Sequence, residues 1–199
     1  MRSKPTLAVA LCLLLVGCRA RDFLTRGRAA EEIGNAASFK APQQFFLRTG
    51  LVSNMDYTRP EYLVLQRRCW ITGVTAPCTG EVSPPPCWDV ALTPIGVETF
   101  RDLISAQGTP HQYFSIPTAK RQLISVTGIA KNGNWADVDF TWKWIPMNEV
   151  GAALSQTGVE FRSSVAFRHY DDGWRVVQGS APKTNQDLDD ALKDAQPAQ

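Results

Sequence analysis

Hydrophobic and polar positions alternate most regularly near the middle of the chain's second half. From Asp137 to Trp144, Val138, Phe140, Trp142 and Trp144 share one face, while Asp137, Asp139, Thr141 and Lys143 share the other. A strict period of two predicts a half-buried β-strand, and Pro146 stops it. Gln122–Ala130 is a second strand, joined to the first by Lys131-Asn132-Gly133-Asn134, whose Asn-Gly pair favours a tight hairpin. Phe161, Ser163, Val165, Phe167 and His169 alternate with Arg162, Ser164, Ala166, Arg168 and Tyr170. Asp171-Asp172-Gly173 then turns the chain into a last strand, Trp174–Gln178. Two hairpins make one antiparallel sheet most simply.

The first half reads less regularly. Ser38 to Pro42 suggests a helix entrance, Gln43–Thr49 its continuation and Gly50 its end, with Phe45, Phe46 and Leu51 in the core. Glu61–Thr72 is rich in β-formers between Pro60 and Gly73 and predicts a strand that buries Cys69. Residues 73–88 predict a loop, and Trp88–Leu92 a short return strand. Thr93 and Pro94 mark a helix start, and Val97, Phe100, Leu103 and Ile104 recur at helical steps before Gly108. A helical turn or two is expected around Glu149–Leu154. Together these elements predict an α+β fold, with short N-terminal helices packed on a curved antiparallel sheet of four or five strands. The expected organisation is a single domain over 38–180, preceded by a tether at 18–37. The tail at 181–199 is expected to be flexible, since it has few large apolar residues.

The extreme N-terminus follows another logic. Met1-Arg2-Ser3-Lys4 is basic, Leu7–Val16 is apolar, and Leu15-Val16-Gly17-Cys18 follows. Ten apolar residues are too few for a stable bilayer anchor, which takes roughly 20. Leu15-Val16-Gly17-Cys18 resembles the lipobox of bacterial lipoproteins. That resemblance implies a signal peptide over 1–17, cleavage before Cys18, and acylation of Cys18 as the membrane anchor. Arg19, rather than Asp, after the cysteine implies an outer-membrane location facing the periplasm. Such an anchor makes the membrane a partner, with an envelope protein or an apolar small molecule as the further partner.

Removal of the leader changes the charge. Of 21 basic residues, Arg2 and Lys4 lie in the leader, so the remaining 19 balance 19 acidic ones. A neutral mature chain gives no long-range attraction to nucleic acid. Residues 67–71 and 92–96 resemble the wing and helix edge of winged-helix domains, but the charge argues against DNA as a partner. The tether arginines Arg19, Arg21, Arg26 and Arg28 either touch anionic headgroups or are simply solvated.

Export also changes the cysteine chemistry. With Cys12 removed and Cys18 acylated, Cys69, Cys78 and Cys87 remain in an oxidising compartment. Three pairings are open. Cys78–Cys87 is preferred because it closes the loop around Pro84-Pro85-Pro86, worth about 2–3 kcal/mol by chain entropy. The spacing matches no common zinc signature, only His111 and His169 are available to assist, and no metal or other cofactor is expected.

Catalytic candidates are few. His169 lies beside Asp171 and Asp172, which already serve the turn. Asp137 and Asp139 share a strand face that simple solvation explains better than a carboxylate pair. Ser163, Ser164 and Ser180 lack a nucleophile-elbow context, and no phosphate-loop, dinucleotide or HExxH motif occurs. The aromatic residues Phe140, Trp142, Trp144 and Phe167 either pack as core or form a concave ligand-binding face. Tyr170-Asp171-Asp172-Gly173-Trp174-Arg175-Val176 resembles the last hairpin of NTF2-like and cystatin-like domains, which implies a helix-covered sheet and an apolar pocket. The sequence therefore favours a noncatalytic envelope binding or scaffold module. The alternative is an NTF2-like enzyme with His169, Asp137 or Asp139 as base.

Overall fold

The computed structural model describes residues 23–79, 85–104, 113–155, 158–178 and 186–198. The expectations for Cys12, Cys18 and His111 lie outside these residues. The fold is mixed α+β, with a larger sheet than the four or five strands expected. A six-stranded antiparallel sheet has the order β1 (Gln43–Arg48), β5 (Tyr113–Asn132), β6 (Trp135–Pro146), β7 (Glu160–Tyr170), β8 (Gly173–Val176). A short β9 (Gln196–Pro197) also pairs with β7. A second, three-stranded sheet has the order β2 (Gly50–Ser53), β4 (Cys87–Leu92), β3 (Ile71–Ala76).

The chain divides into two compact units. The first comprises Met1–Phe39, Leu123–Thr141 and Arg162–Gln196, and the second Lys40–Gln122, Trp142–Phe161 and Pro197–Gln199. The first unit contains helices at both ends of its sequence. α1 (Arg26–Asn35) occupies the stretch read as a tether, and α7 (Leu188–Lys193) the stretch read as a tail. Thr25 caps α1 by accepting from the Arg28 amide, and Ala29 and Ile33, four residues apart, are buried. Arg28 pairs with Glu31 and Glu32, and the Arg26 guanidinium donates to the Thr127 carbonyl at 3.1 Å, so both arginines have protein partners. α1 packs against β8. Asp187 caps α7, which buries Leu188, Ala191 and Leu192. Three polar residues among those six hid a narrow apolar stripe that is sufficient to dock a short helix.

The hairpin between β5 and β6 forms where Asn132-Gly133 predicted it, and Gly133 takes the left-handed φ of +61° that this turn requires. β7 and β8 pair with Tyr170 opposite Gly173 and Phe167 opposite Val176, as the second hairpin predicted. In β6, Val138 and Phe140 are buried while Asp137 and Asp139 are exposed, the alternation expected of a half-buried strand.

The second unit corrects two assignments. Gln43–Arg48 is a strand, not a helix. It pairs antiparallel with β5, Phe45 opposite Ile116 and Leu47 opposite Phe114. Phe45 and Leu47 point one way, so Phe46 stands on the other face and is 64% exposed instead of core. Pairing with a segment some seventy residues away overrides the local helix signals. Residues 61–72 are chiefly helical: α4 spans Pro60–Arg67. Pro60 occupies an early helical position, Glu61 lies in the first turn and Arg67 in the last, which suits the helix dipole. Tyr62 and Leu65 are buried three residues apart.

Cys69 ends this helix with φ +55°. Its amide donates to the Gln66 carbonyl and the Trp70 amide to Leu65, a Schellman closure with cysteine where glycine is usual. Cys69 is accordingly exposed, not buried in a strand. β3 begins at Ile71, within the span read as strand and loop, and pairs with β4 from Ile71 opposite Leu92 to Ala76 opposite Cys87. α5 (Pro94–Phe100) starts as predicted, with Thr93 accepting from the Gly96 amide. α6 (Glu149–Leu154) also lies where expected. Leu47, Val52, Leu65, Trp70, Val90 and Phe100 are among the residues of this unit's core.

The disulfide is the preferred one, Cys78–Cys87. Closing a loop of this size contributes about 2–3 kcal/mol. Of Cys69, Cys78 and Cys87, a thiol reagent should therefore modify Cys69 alone in unfolded, unreduced protein, as read by peptide mass spectrometry. Modification of Cys78 or Cys87 there would contradict the pairing.

Burial also fixes a pH response. Tyr62 is buried, its hydroxyl accepts from the Arg48 amide at 2.8 Å and donates to the Arg48 carbonyl at 3.1 Å. Desolvation raises the pKa of Tyr62, and also that of Tyr57, above the ordinary value of 10.0. The folded state thus disfavours the phenolates. The stability tied to these neutral hydroxyls is complete below pH 10 and is lost as pH rises through the folded-state values. Denaturation midpoints should fall with rising pH above about 10, and less steeply in Tyr62→Phe, which should itself cost about 1–3 kcal/mol at neutral pH through the unpaired Arg48 groups.

Candidate functional site

The four aromatic candidates do not form a shared open face. In the first unit, Phe140 is 1% and Phe167 0% exposed. Phe140 meets Phe39 edge-on, with ring centroids 6.5 Å apart. In the second unit, Trp142 is buried, stacked on Phe161 at 4.8 Å and edge-on to Trp144 at 5.3 Å. Arg121 lies over both indoles, 5.4 Å from the Trp142 centroid and 4.4 Å from that of Trp144, and donates to the Ala41 carbonyl. This is a cation–π arrangement that fills space around the rings.

The catalytic candidates are also separated. The His169 ring packs beside Trp174 at 5.1 Å, and its amide donates to the Asn134 carbonyl. Asp172 pairs with Arg175 across the β7–β8 turn. Asp137 and Asp139 are both exposed, but only Asp139 lines a concavity. Among the described residues, no group of three His, Cys, Asp or Glu side chains converges as a metal site.

That concavity is a cleft of about 580 Å³ within the first unit, lined by both polar and apolar groups. One wall is sheet: Thr127 of β5, Asp139 and Thr141 of β6, Arg162 and Ser164 of β7. In β6 and in β7 these residues sit two apart, and Phe140 and Ser163 between them line the cleft as well. The C-terminal segment supplies the rest of the lining, through Gln186, Ala191, Asp194 and Gln196, the last in β9 beside β7. It is fixed by backbone hydrogen bonds from Ala166 to Gln186 and from Leu188 to Val177, and by the buried face of α7.

Local contacts orient the polar groups. A Cβ at Gly128 would stand 2.9 Å from Asp139 Oδ2, so the bare backbone there makes room for this carboxylate. Thr141 Oγ1 lies 3.1 Å from Ser125 Oγ, and Gln186 Nε2 donates to Asp194 Oδ2 at 3.1 Å. Both charge signs and several hydroxyl and amide groups therefore line one space, which suits recognition of a polar ligand.

Sequence reasoning singled out Asp139 and noted the polar face of β6, but read that face as solvated. Arg162, Gln186 and Asp194 were missed as site residues. The available signal was the buried triplet Leu188, Ala191 and Leu192 at helical spacing, which brings the segment back onto the sheet. Compared with known protein families, curated proteins and solved structures, the chain shows no match.

Proposed function

We propose that this protein is a noncatalytic, lipid-anchored envelope protein that binds a small ligand in the cleft of its first unit. The observation that carries the binding role is the cleft itself, whose lining comes from distant parts of the sequence and includes Asp139, Arg162, Ser164 and Gln196. The anchor rests on the lipobox-like Leu15-Val16-Gly17-Cys18. Phe140 and Phe167 are buried, so the ligand contacts are assigned to the polar groups of the lining, which Phe140 also borders. Helix α1 against β8 supports an NTF2-like reading of this unit, with a helix covering the sheet that ends in the Trp174 hairpin.

An NTF2-like enzyme is the second reading, and the placement of Asp139 in the cleft favours it. It needs a base that faces the bound ligand. Asp139 would fill that role, since His169 packs beside Trp174.

The test is recovery of cargo. Native protein and a Thr127→Trp variant, which fills the cleft from an exposed strand position, are purified from envelope extracts and their small-molecule contents compared by mass spectrometry. A compound that is enriched on the native protein and lost from the variant, and that returns chemically unchanged, supports binding. An altered product favours the enzyme. Identical contents in both proteins would contradict the cleft as the site.

A further inference from the structure

We infer that the cleft takes a small zwitterion, a free amino acid or short peptide, whose carboxylate meets Arg162 and whose ammonium group meets Asp139. This rests on the cleft being the ligand site, and adds the chemical class of the ligand.

Asp139 and Arg162 stand on neighbouring strands, β6 and β7, and line the same cleft. Among the described residues neither enters an ion pair, with the other or with any third group. Elsewhere in this unit Arg28 pairs with Glu32, Arg175 with Asp172 and Lys193 with Asp190, while Asp137 and Asp189 enter no ion pair among the described residues. Asp139 and Arg162, held with Asp194 in one concavity and not paired with each other, are complementary to a ligand that carries both signs of charge.

Other ligand classes fit less well. A neutral sugar would satisfy the hydroxyls of Thr127 and Ser164 but leave both charges without a counter-charge. A simple anion would meet Asp139 and Asp194 as well as Arg162, and a simple cation would meet the guanidinium. A zwitterion satisfies each end. The planar fork of Arg162 suits a carboxylate, which it engages through two parallel hydrogen bonds. Asp139, as a carboxylate, offers acceptors only, which suits an ammonium donor. Gln196 and Ser164 then serve the neutral amide groups of a peptide. A volume of about 580 Å³ exceeds the needs of one amino acid and leaves room for a dipeptide.

The experiment is titration calorimetry on the full mature chain, kept unacylated by Cys18→Ser, with amide NMR to locate binding. The probes are dialanine, N-acetyl-dialanine, dialanine amide and a neutral disaccharide. Dialanine should bind saturably and shift the amides of residues 127, 139, 162 and 194. Blocking either end, or making Arg162→Gln or Asp139→Asn, should weaken binding by about tenfold or more. Both side chains are exposed, so the variants should melt like the parent, which separates recognition from folding. N-acetyl-dialanine should remain sensitive to Arg162→Gln and become insensitive to Asp139→Asn. Dialanine binding that is indifferent to both variants, or absent, would overturn the proposal. If the disaccharide shifts the same amides, the ligand class fails while the cleft survives. If no probe shifts a cleft amide, both readings fail.

Discussion

Truncating Phe140 to alanine is expected to destabilise the protein by about 3–5 kcal/mol, the usual cost of removing a fully buried aromatic ring. Phe140 is 1% exposed and packs edge-on to Phe39. The loss combines burial of the ring with the cavity left behind, because the surrounding strand cannot collapse without breaking its ladder. Denaturant unfolding followed by circular dichroism reads this directly. The same truncation at Phe46, which is exposed on β1, should change stability by less than about 0.5 kcal/mol. If Phe140 instead lined an open ligand face, Phe140→Ala would leave stability nearly unchanged and impair binding only. A midpoint indistinguishable from that of the parent would refute its assignment to the core.

Replacing Gly96 with alanine should be almost as damaging, at about 3 kcal/mol. An added Cβ would stand 1.8 Å from the Trp70 carbonyl oxygen and 2.8 Å from its carbon. These are backbone atoms, which cannot rotate aside as a side chain would. The site is also tied from several directions. Thr93 Oγ1 caps the Gly96 amide and donates to the Cys69 carbonyl, and the Thr93 amide donates to the Trp70 carbonyl. Moving α5 outward would therefore strain the helix cap and the entry to β3 together. Gly27 and Gly34 provide the control. Both lie in α1 with open space where a Cβ would go. Alanine at either should stabilise by about 0.5–1 kcal/mol through helix propensity and the less flexible unfolded chain. Opposite signs at Gly96 and Gly27 would show that close approach, not glycine content, sets the cost. A mild effect at Gly96 would contradict the contact with Trp70.

These two positions mark what was and was not legible in the sequence. Phe140 sits in a strictly alternating run, and alternation reports local geometry directly, so β6 and its buried face could be read from residues 137–144 alone. The same holds for the Asn132-Gly133 turn and for Thr93-Pro94, where a few adjacent residues dictate the backbone. Gly96 carried no such signal, because its constraint comes from Trp70, on the far side of a disulfide-closed loop. β1 was read as a helix for the same reason: its pairing with β5 joins Gln43–Arg48 to residues 113–119. At 61–72, β-branched and aromatic residues suggested a strand. The burial of Tyr62 and Leu65 three residues apart, between Pro60 and the Cys69 turn, decides for a helix.

The candidate site was legible by halves. Its strand side is the polar face of β6, evident from Asp137, Asp139 and Thr141 but indistinguishable by composition from a solvated surface. Its other side is the C-terminal segment, whose polar composition suggested a chain without a core. Only docking of Leu188, Ala191 and Leu192 turns the polar face into a cleft. A site made by two segments that meet through long-range packing has no motif, because neither half has the spacing of a ligand-binding set.

The central claim is that this binding module works while held at a membrane by the acylated sulfur of Cys18. Intact-mass measurement of the protein isolated from its own host, with fragmentation of the N-terminal peptide, tests it most directly. A chain that begins at Cys18 and carries a diacylglycerol and, in a triacylated form, a third chain on its amine is the result expected. A chain that still begins at Met1, or one with a free thiol at Cys18, would contradict the anchor, and the envelope location would fall with it.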